Sequence, residues 1–338
     1  PRKLDELGSR AFAECTSLKS IKLSEGLPLL GEDTFNGCTS LKSITFPSTL
    51  TAISQNCFIG CSALESLTFP KSLKVIDGFA FKDCTSLKSI SFNEGLETIA
   101  GYAFSGCVSL TEVTIPASVT SINFAFVDCT SIRKVTFAAG SACSVSSGTF
   151  TSSPNIEEIV LKDPSKLELD FQCFANLTKL KRVVIEKGTL FVPSACFAGC
   201  TSLSEIDFSK ITFIENSAFA GCTSLPSEIR ISSLVSVIGA YAFEGCTSIE
   251  KVICSPYIRI IDESAFSGCT SLREITIGIG TYAQKNAFKD CTALERINYP
   301  GTEEEFNLLL NTIESIRNEY ASKPINYLNN ITAPKGYK

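Results

Sequence analysis

The 338-residue chain is 44% hydrophobic and 19% charged, a composition that can bury a core and excludes a disordered polyelectrolyte. Thirty basic and 35 acidic residues leave a net charge of -5, without the concentrated positive field of a nucleic-acid binder. Histidine is absent, which removes His-based triads, His-metal sites and the usual acid or base near neutral pH.

The chain begins at Pro1-Arg2-Lys3-Leu4, inside what the following sequence defines as the second half of a repeat. Residues upstream of Pro1 are therefore expected, with any signal or anchor segment among them. From Phe12 onward phenylalanine recurs at 22- to 24-residue steps, through Phe35, Phe58, Phe81 and Phe104 to Phe288, thirteen times in all. Three residues after the Phe stands Cys in 11 of 13 repeats, six after it stands Leu or Ile in all 13, and the residue before it is always Ala, Thr or Cys. Self-similarity at such a period is the signature of a solenoid, whose units share one core by stacking.

One coil shows the expected elements. Residues 41–46 (Leu-Lys-Ser-Ile-Thr-Phe) alternate and stop at Pro47, which predicts a short strand closed by a residue that cannot extend the ladder. Residues 50–61 carry apolar positions three or four apart and end beside Gly60, a spacing that predicts a turn with a short helical or 3-10 stretch. Around 138–178 the coils lengthen to 24 residues, and Ser153 and Leu177 replace the ladder Cys, so an irregular region is expected. Beyond residue 300 the repeat ends. Thr302-Glu-Glu-Glu305 opens like a helix capping box, with Phe306, Leu309, Leu310, Ile313, Ile316 and Tyr320 at helical spacing. Residues 301–338 are expected to form a capping helix, and Ile325-Asn-Tyr327-Leu328 a closing strand.

The pattern Leu-x-x-Ile-x-Phe-Pro-x-x-Leu-x-x-Ile-x-x-x-Ala-Phe-x-Gly-Cys, nearly unchanged over 64–84 and 87–107, resembles the BspA-like class of leucine-rich repeats. The resemblance covers residues 1–300. It implies an α/β repeat solenoid: a right-handed arc with a parallel β-sheet on the concave face and short helical or 3-10 turns on the convex face. Proteins of this class occur on the surfaces of host-associated bacteria and are linked to adhesion.

Eleven of the 16 cysteines occupy the column three residues after the Phe. Parallel side chains stacked in one column suit packed free thiols better than the bridge dihedral, and among the remainder Cys173 and Cys196 are the pair best placed for a disulfide. No Cys-x-x-Cys occurs, and Asp83, Asp128 and Asp290 share a loop column in separate repeats, so no metal site is expected. No Gly-x-Gly-x-x-Gly follows a strand and no His is available to activate a thiol. Neither an enzyme nor a cofactor is expected.

The outward strand positions remain as the candidate site. Thr45, Thr68, Ser91 and Thr114 form a hydroxyl column that continues to Val160 and Val184, and the column two residues earlier becomes charged at Lys134, Glu158 and Arg182. Outward Val beside Arg and Lys is the composition of a contact hot spot, so the ligand-binding centre is expected at Lys134, Glu158, Val160, Arg182 and Val184, with Val160 and Val184 exposed. The resulting expectation is a monomeric extracellular or cell-surface adhesion module. Its concave face would bind a host protein or glycan, including host extracellular matrix, and it would have no nucleic-acid partner and no membrane-spanning segment. The alternative is a passive spacer that presents another domain.

Overall fold

A computed structural model describes residues 7–302, Glu304 and the backbone of Ile325–Tyr327. The chain divides into two compact units, 1–173 and 174–338. Both are parallel β-solenoids built from the same three-sided coil.

In the first unit, one wall consists of three- or four-residue strands such as Ser43–Thr45, Ser66–Thr68, Glu112–Ile115 and Lys134–Phe137. Their pairing is parallel and in register with the repeat, for instance Ser66↔Ser89 and Lys134↔Glu158. A second wall consists of two-residue strands, Leu29–Leu30, Ala52–Ile53, Val75–Ile76 and Thr98–Ile99, also paired in parallel. The second unit repeats this plan. Glu228–Arg230, Lys251–Ile253, Glu274–Thr276, Arg296–Tyr299 and Ile325–Tyr327 form its first wall, and Leu190–Val192 through Tyr282–Ala283 its second. Ile325–Tyr327 pairs in parallel with Arg296–Tyr299, at the place expected of a closing strand. Glu304 is helical; the rest of the expected capping helix and Leu328 lie outside the described residues.

The third side corrects the sequence expectation of helical or 3-10 turns around each Phe. The described residues contain two 3-10 segments, Pro164–Lys166 and Phe208–Lys210, and neither includes a residue of the Phe column. The reason is the backbone on either side of the ring. Asn56 and Gly60, two residues before and after Phe58, have φ of 57° and 72°, and left-handed residues cannot continue a right-handed helix. The same two positions are left-handed in Asp33 and Gly37, Phe79 and Asp83, and Tyr241 and Gly245. Hydrogen bonds alternate through the segment. Asn56, Phe58 and Gly60 donate to Gly78, Ala80 and Lys82 of the next coil, while Cys57, Ile59 and Cys61 donate three residues back to Ser54, Asn56 and Phe58. The segment is thus a row of turns that also pairs like a strand. Apolar spacing of three or four mimics a helix because each turn closes over three residues.

The alternation sets the core. Phe35, Phe58, Phe81 and Phe104 are fully buried, and their rings stack coil on coil at 5.1, 4.9 and 5.3 Å. In the second unit Phe197, Phe219, Phe243 and Phe266 do the same at 5.6, 5.4 and 5.1 Å. From Thr34 onward the small residue before each Phe is buried, as in Cys57, Ala80 and Ala103, and its carbonyl receives the Phe N–H of the preceding coil, as at 2.8 Å from Phe35 to Cys57 and 2.7 Å from Phe58 to Ala80.

The cysteine column has its own task. Cys84 Sγ donates to the carbonyl of Phe58 at 3.3 Å, Cys107 to that of Phe81 at 3.3 Å and Cys246 to that of Phe219 at 3.1 Å. Each thiol thereby ties its coil to the one before, on a carbonyl that already accepts the backbone N–H of its own coil's Cys. Where Ser153 replaces the Cys, its hydroxyl donates to Phe126 at 3.2 Å. Ser153 thus keeps the bond between coils without a sulfur, whereas Leu177, which takes the same place after Phe174, fills it as a buried apolar side chain.

Candidate functional site

The first-wall strands present their alternate residues outward, because successive side chains of a strand point to opposite faces. In the first unit Thr45, Thr68, Ser91 and Thr114 are all exposed on this face, one per coil, with Thr68 opposite Ser91 and Thr114 opposite Thr136. Beyond Thr114 the column closes over. Thr136 is 8% exposed and Val160, its register partner, 6%. The expectation that Val160 stands exposed is therefore corrected. Two β-branched side chains face each other across one strand spacing, and two residues earlier on the same strands Lys134 Nζ meets Glu158 Oε2 at 2.9 Å. In the second unit Val184 is half-buried and Arg182 is exposed, with its Nε 3.0 Å from Glu205 Oε2.

In each unit the charged column holds residues beyond the three expected, Lys134, Glu158 and Arg182. It runs Glu112, Lys134 and Glu158 in the first unit, and Arg182, Glu205, Glu228, Lys251, Glu274 and Arg296 in the second. The signs largely alternate, and Glu274 pairs with its column neighbours Lys251 at 3.2 Å and Arg296 at 3.9 Å, while Glu228 pairs with Arg230 of its own strand at 2.6 Å. Exposed pairs of this kind contribute about 0–1 kcal/mol each. Their value to stability is small, and a docking partner can replace them at little cost.

The remaining constellations have structural explanations. The Asp83, Asp128 and Asp290 column has φ of 58°, 59° and 58°, the left-handed position after each Phe, which favours Gly, Asn and Asp. Among the described residues no three His, Cys, Asp or Glu side chains converge as a metal site. Burial pushes the Cys61, Cys129, Cys222 and Cys254 thiols up to about 12, the opposite of what a nucleophilic cysteine needs.

Two surface features escaped the sequence reading. Phe79, Tyr102 and Phe124 stack at 5.2 and 5.7 Å beside the core column in the first unit. The stack ends over Gly148, where a Cβ would stand 1.9 Å from Phe124 Cε1; the glycine makes room for the ring. The second is an apolar stripe on the second wall of the second unit. Both were discoverable by reading the outward columns of all three sides instead of the first wall alone.

The sequence profile of the BspA type leucine rich repeat region matches residues 5–124, 102–226 and 214–335, in six copies. The chain belongs to the BspA-type leucine-rich repeat family. Comparison with curated proteins gives no match. Among solved structures, a leucine-rich repeat protein from Bacteroides ovatus ATCC 8483 is 23% identical with a TM-score of 0.53, over 95% of this chain and 87% of that one, which shows the shared fold. A leucine rich cell surface protein from Faecalibacterium prausnitzii A2-165 is 26% identical with a TM-score of 0.44, over 89% and 84% of the two chains. No helix among the described residues is long and apolar enough to cross a membrane.

Proposed function

We propose that this BspA-type repeat protein is a protein-interaction module that works outside the cell as an adhesin, contacting a host protein or glycan through the outward face of its first-wall strands. The observation that carries the reading is the make-up of the first wall in each unit: in the first, uncharged, exposed hydroxyls at Thr45, Thr68, Ser91 and Thr114 stand with the paired Lys134 and Glu158, and in the second, charges of alternating sign pair from Arg182 with Glu205 to Lys251 with Glu274. Side chains held in register by the strand ladder lose little further freedom on binding. Charges of alternating sign give specificity and register rather than bulk affinity. Lys134, Glu158 and Arg182 are the proposed recognition residues. Val184, half-buried beside Arg182, is an apolar contact, while the buried Val160 supports the strand surface. Extracellular display is what the family resemblance implies.

The test is surface plasmon resonance of the purified chain against a solubilised host extracellular-matrix preparation and a glycan array. The reading expects saturable binding that falls about tenfold or more in Lys134→Glu and in Arg182→Glu, the scale of losing a hot-spot charge. Binding unchanged in both variants would remove the first wall as the contact face. No binding to any matrix protein or glycan would favour the passive spacer.

A further inference from the structure

The second wall of the second unit carries an outward column of five apolar residues in five successive coils: Phe191, Phe213, Val237, Ile260 and Tyr282. They are register neighbours, Phe191↔Phe213, Val237↔Ile260 and Ile260↔Tyr282, and the Phe191 and Phe213 rings lie 5.3 Å apart. Beside them project Leu234, Tyr257 and Ile279, exposed by 55%, 65% and 60%. The repeat does not require this composition. In the first unit the same column holds Leu29, Ala52, Val75, Thr98, Ser121, Ser144 and Glu168, with Leu29 its one large apolar side chain, and the wall forms equally well there.

Taking about 150–250 Å² for a large side chain, the exposed fractions of these residues amount to roughly 700 Å². That exceeds the largest patch of an ordinary monomer, roughly 300–600 Å², and approaches the roughly 800 Å² that each partner contributes to a standard interface. The column itself holds no charge, so two copies can face each other without like-charge repulsion. The margins are of opposite sign. Lys187 and Arg259 lie where the strands begin, whereas Glu215, Asp262 and Glu263 lie where they end, against a single Lys285. A twofold axis along the stripe sets the basic margin of one copy against the acidic margin of the other, as isologous contacts require.

We infer that this wall is a homodimer interface and that its occupant is a second copy of the same chain. The inference departs from the expectation of a monomer and is independent of the first-wall contact face. Sedimentation velocity from roughly 1 to 100 μM, a span of dissociation constants that corresponds to about -8 to -5.5 kcal/mol, should show mass rising from one chain to two. Phe213→Asp with Tyr257→Asp should weaken association about a hundredfold, and Val237→Ser with Ile279→Ser, a milder pair, should weaken it as well. Lys134→Glu on the first wall should leave it unchanged. A single chain at the highest concentration overturns the inference and assigns the stripe to another protein. Undiminished dimers in both double variants, with the melting curve intact, overturn it too.

Discussion

Phe81→Ala probes the stacked core most cleanly. The ring is fully buried, stacked on Phe58 at 4.9 Å and Phe104 at 5.3 Å, and met edge-on by Phe69 at 5.7 Å. Burying such a side chain is worth about 1.5–3 kcal/mol in transfer alone, and the residual cavity brings the usual cost of Phe→Ala to about 3–5 kcal/mol. Relaxation into the cavity is limited, because the backbone N–H of Phe81 is bonded to Ala103 at 2.8 Å and its carbonyl accepts from the Cys107 thiol. The expected loss is therefore near the upper end of that range. Phe12 is only half-buried, with a described ring contact on one side, to Phe35 at 5.2 Å; Phe12→Ala should cost about half as much. Urea denaturation followed by circular dichroism measures both, with the slope checked for loss of cooperativity. A loss below about 1 kcal/mol for Phe81→Ala would refute the continuous ring stack.

The cysteine column supports further expectations. Cys84→Ser should keep the bond to Phe58, as Ser153 does to Phe126, and cost about 1 kcal/mol less than Cys84→Ala in the same urea titration; equal losses would show that the thiol acts by volume alone. Thiol titration of the denatured chain without reductant should find about 12 or more free groups, since the column is built for packing and not for bridging. Buried thiols are held neutral in the fold, with Cys61, Cys129, Cys222 and Cys254 pushed up to about 12, whereas the unfolded chain ionises its cysteines from about pH 8.5. The unfolded state then binds fewer protons, so stability is complete below about pH 8.5 and falls above it by about 1.4 kcal/mol per pH unit for each such thiol. Unfolding by about pH 10–11 is expected, and a chain still folded at pH 12 would contradict the burial of the column.

Much of this fold was legible because thirteen copies of one pattern reinforce each other. The Phe, Cys and Leu/Ile columns and the small residue before each Phe mark the core that stacked units share, and residues such as Phe58, Cys61, Leu64 and Ala80 are fully buried. The strand at residues 41–46 was legible from its alternation, and is realised as Ser43–Thr45. The third side was misread because apolar spacing does not report the sign of φ. The informative signal was the residue types at Asn56, Gly60, Asp83 and Asp290, which tolerate the left-handed conformation. At the candidate site the outward positions were legible, but their exposure was not. Whether Val160 is covered depends on neighbours in adjacent coils, Thr136 among them, and strand alternation alone carries no information about neighbours across the sheet.

Carboxylate footprinting of the bound protein tests the central claim, that the first-wall face is the contact surface, most directly. With the matrix partner bound, carbodiimide labelling read by mass spectrometry should lose intensity at Glu112, Glu158 and Glu205 on that face. Labelling of Asp83 and Asp290, exposed on the turns of the third side, should be unchanged. Protection of the two aspartates with the three glutamates labelled as in the free protein would contradict the account.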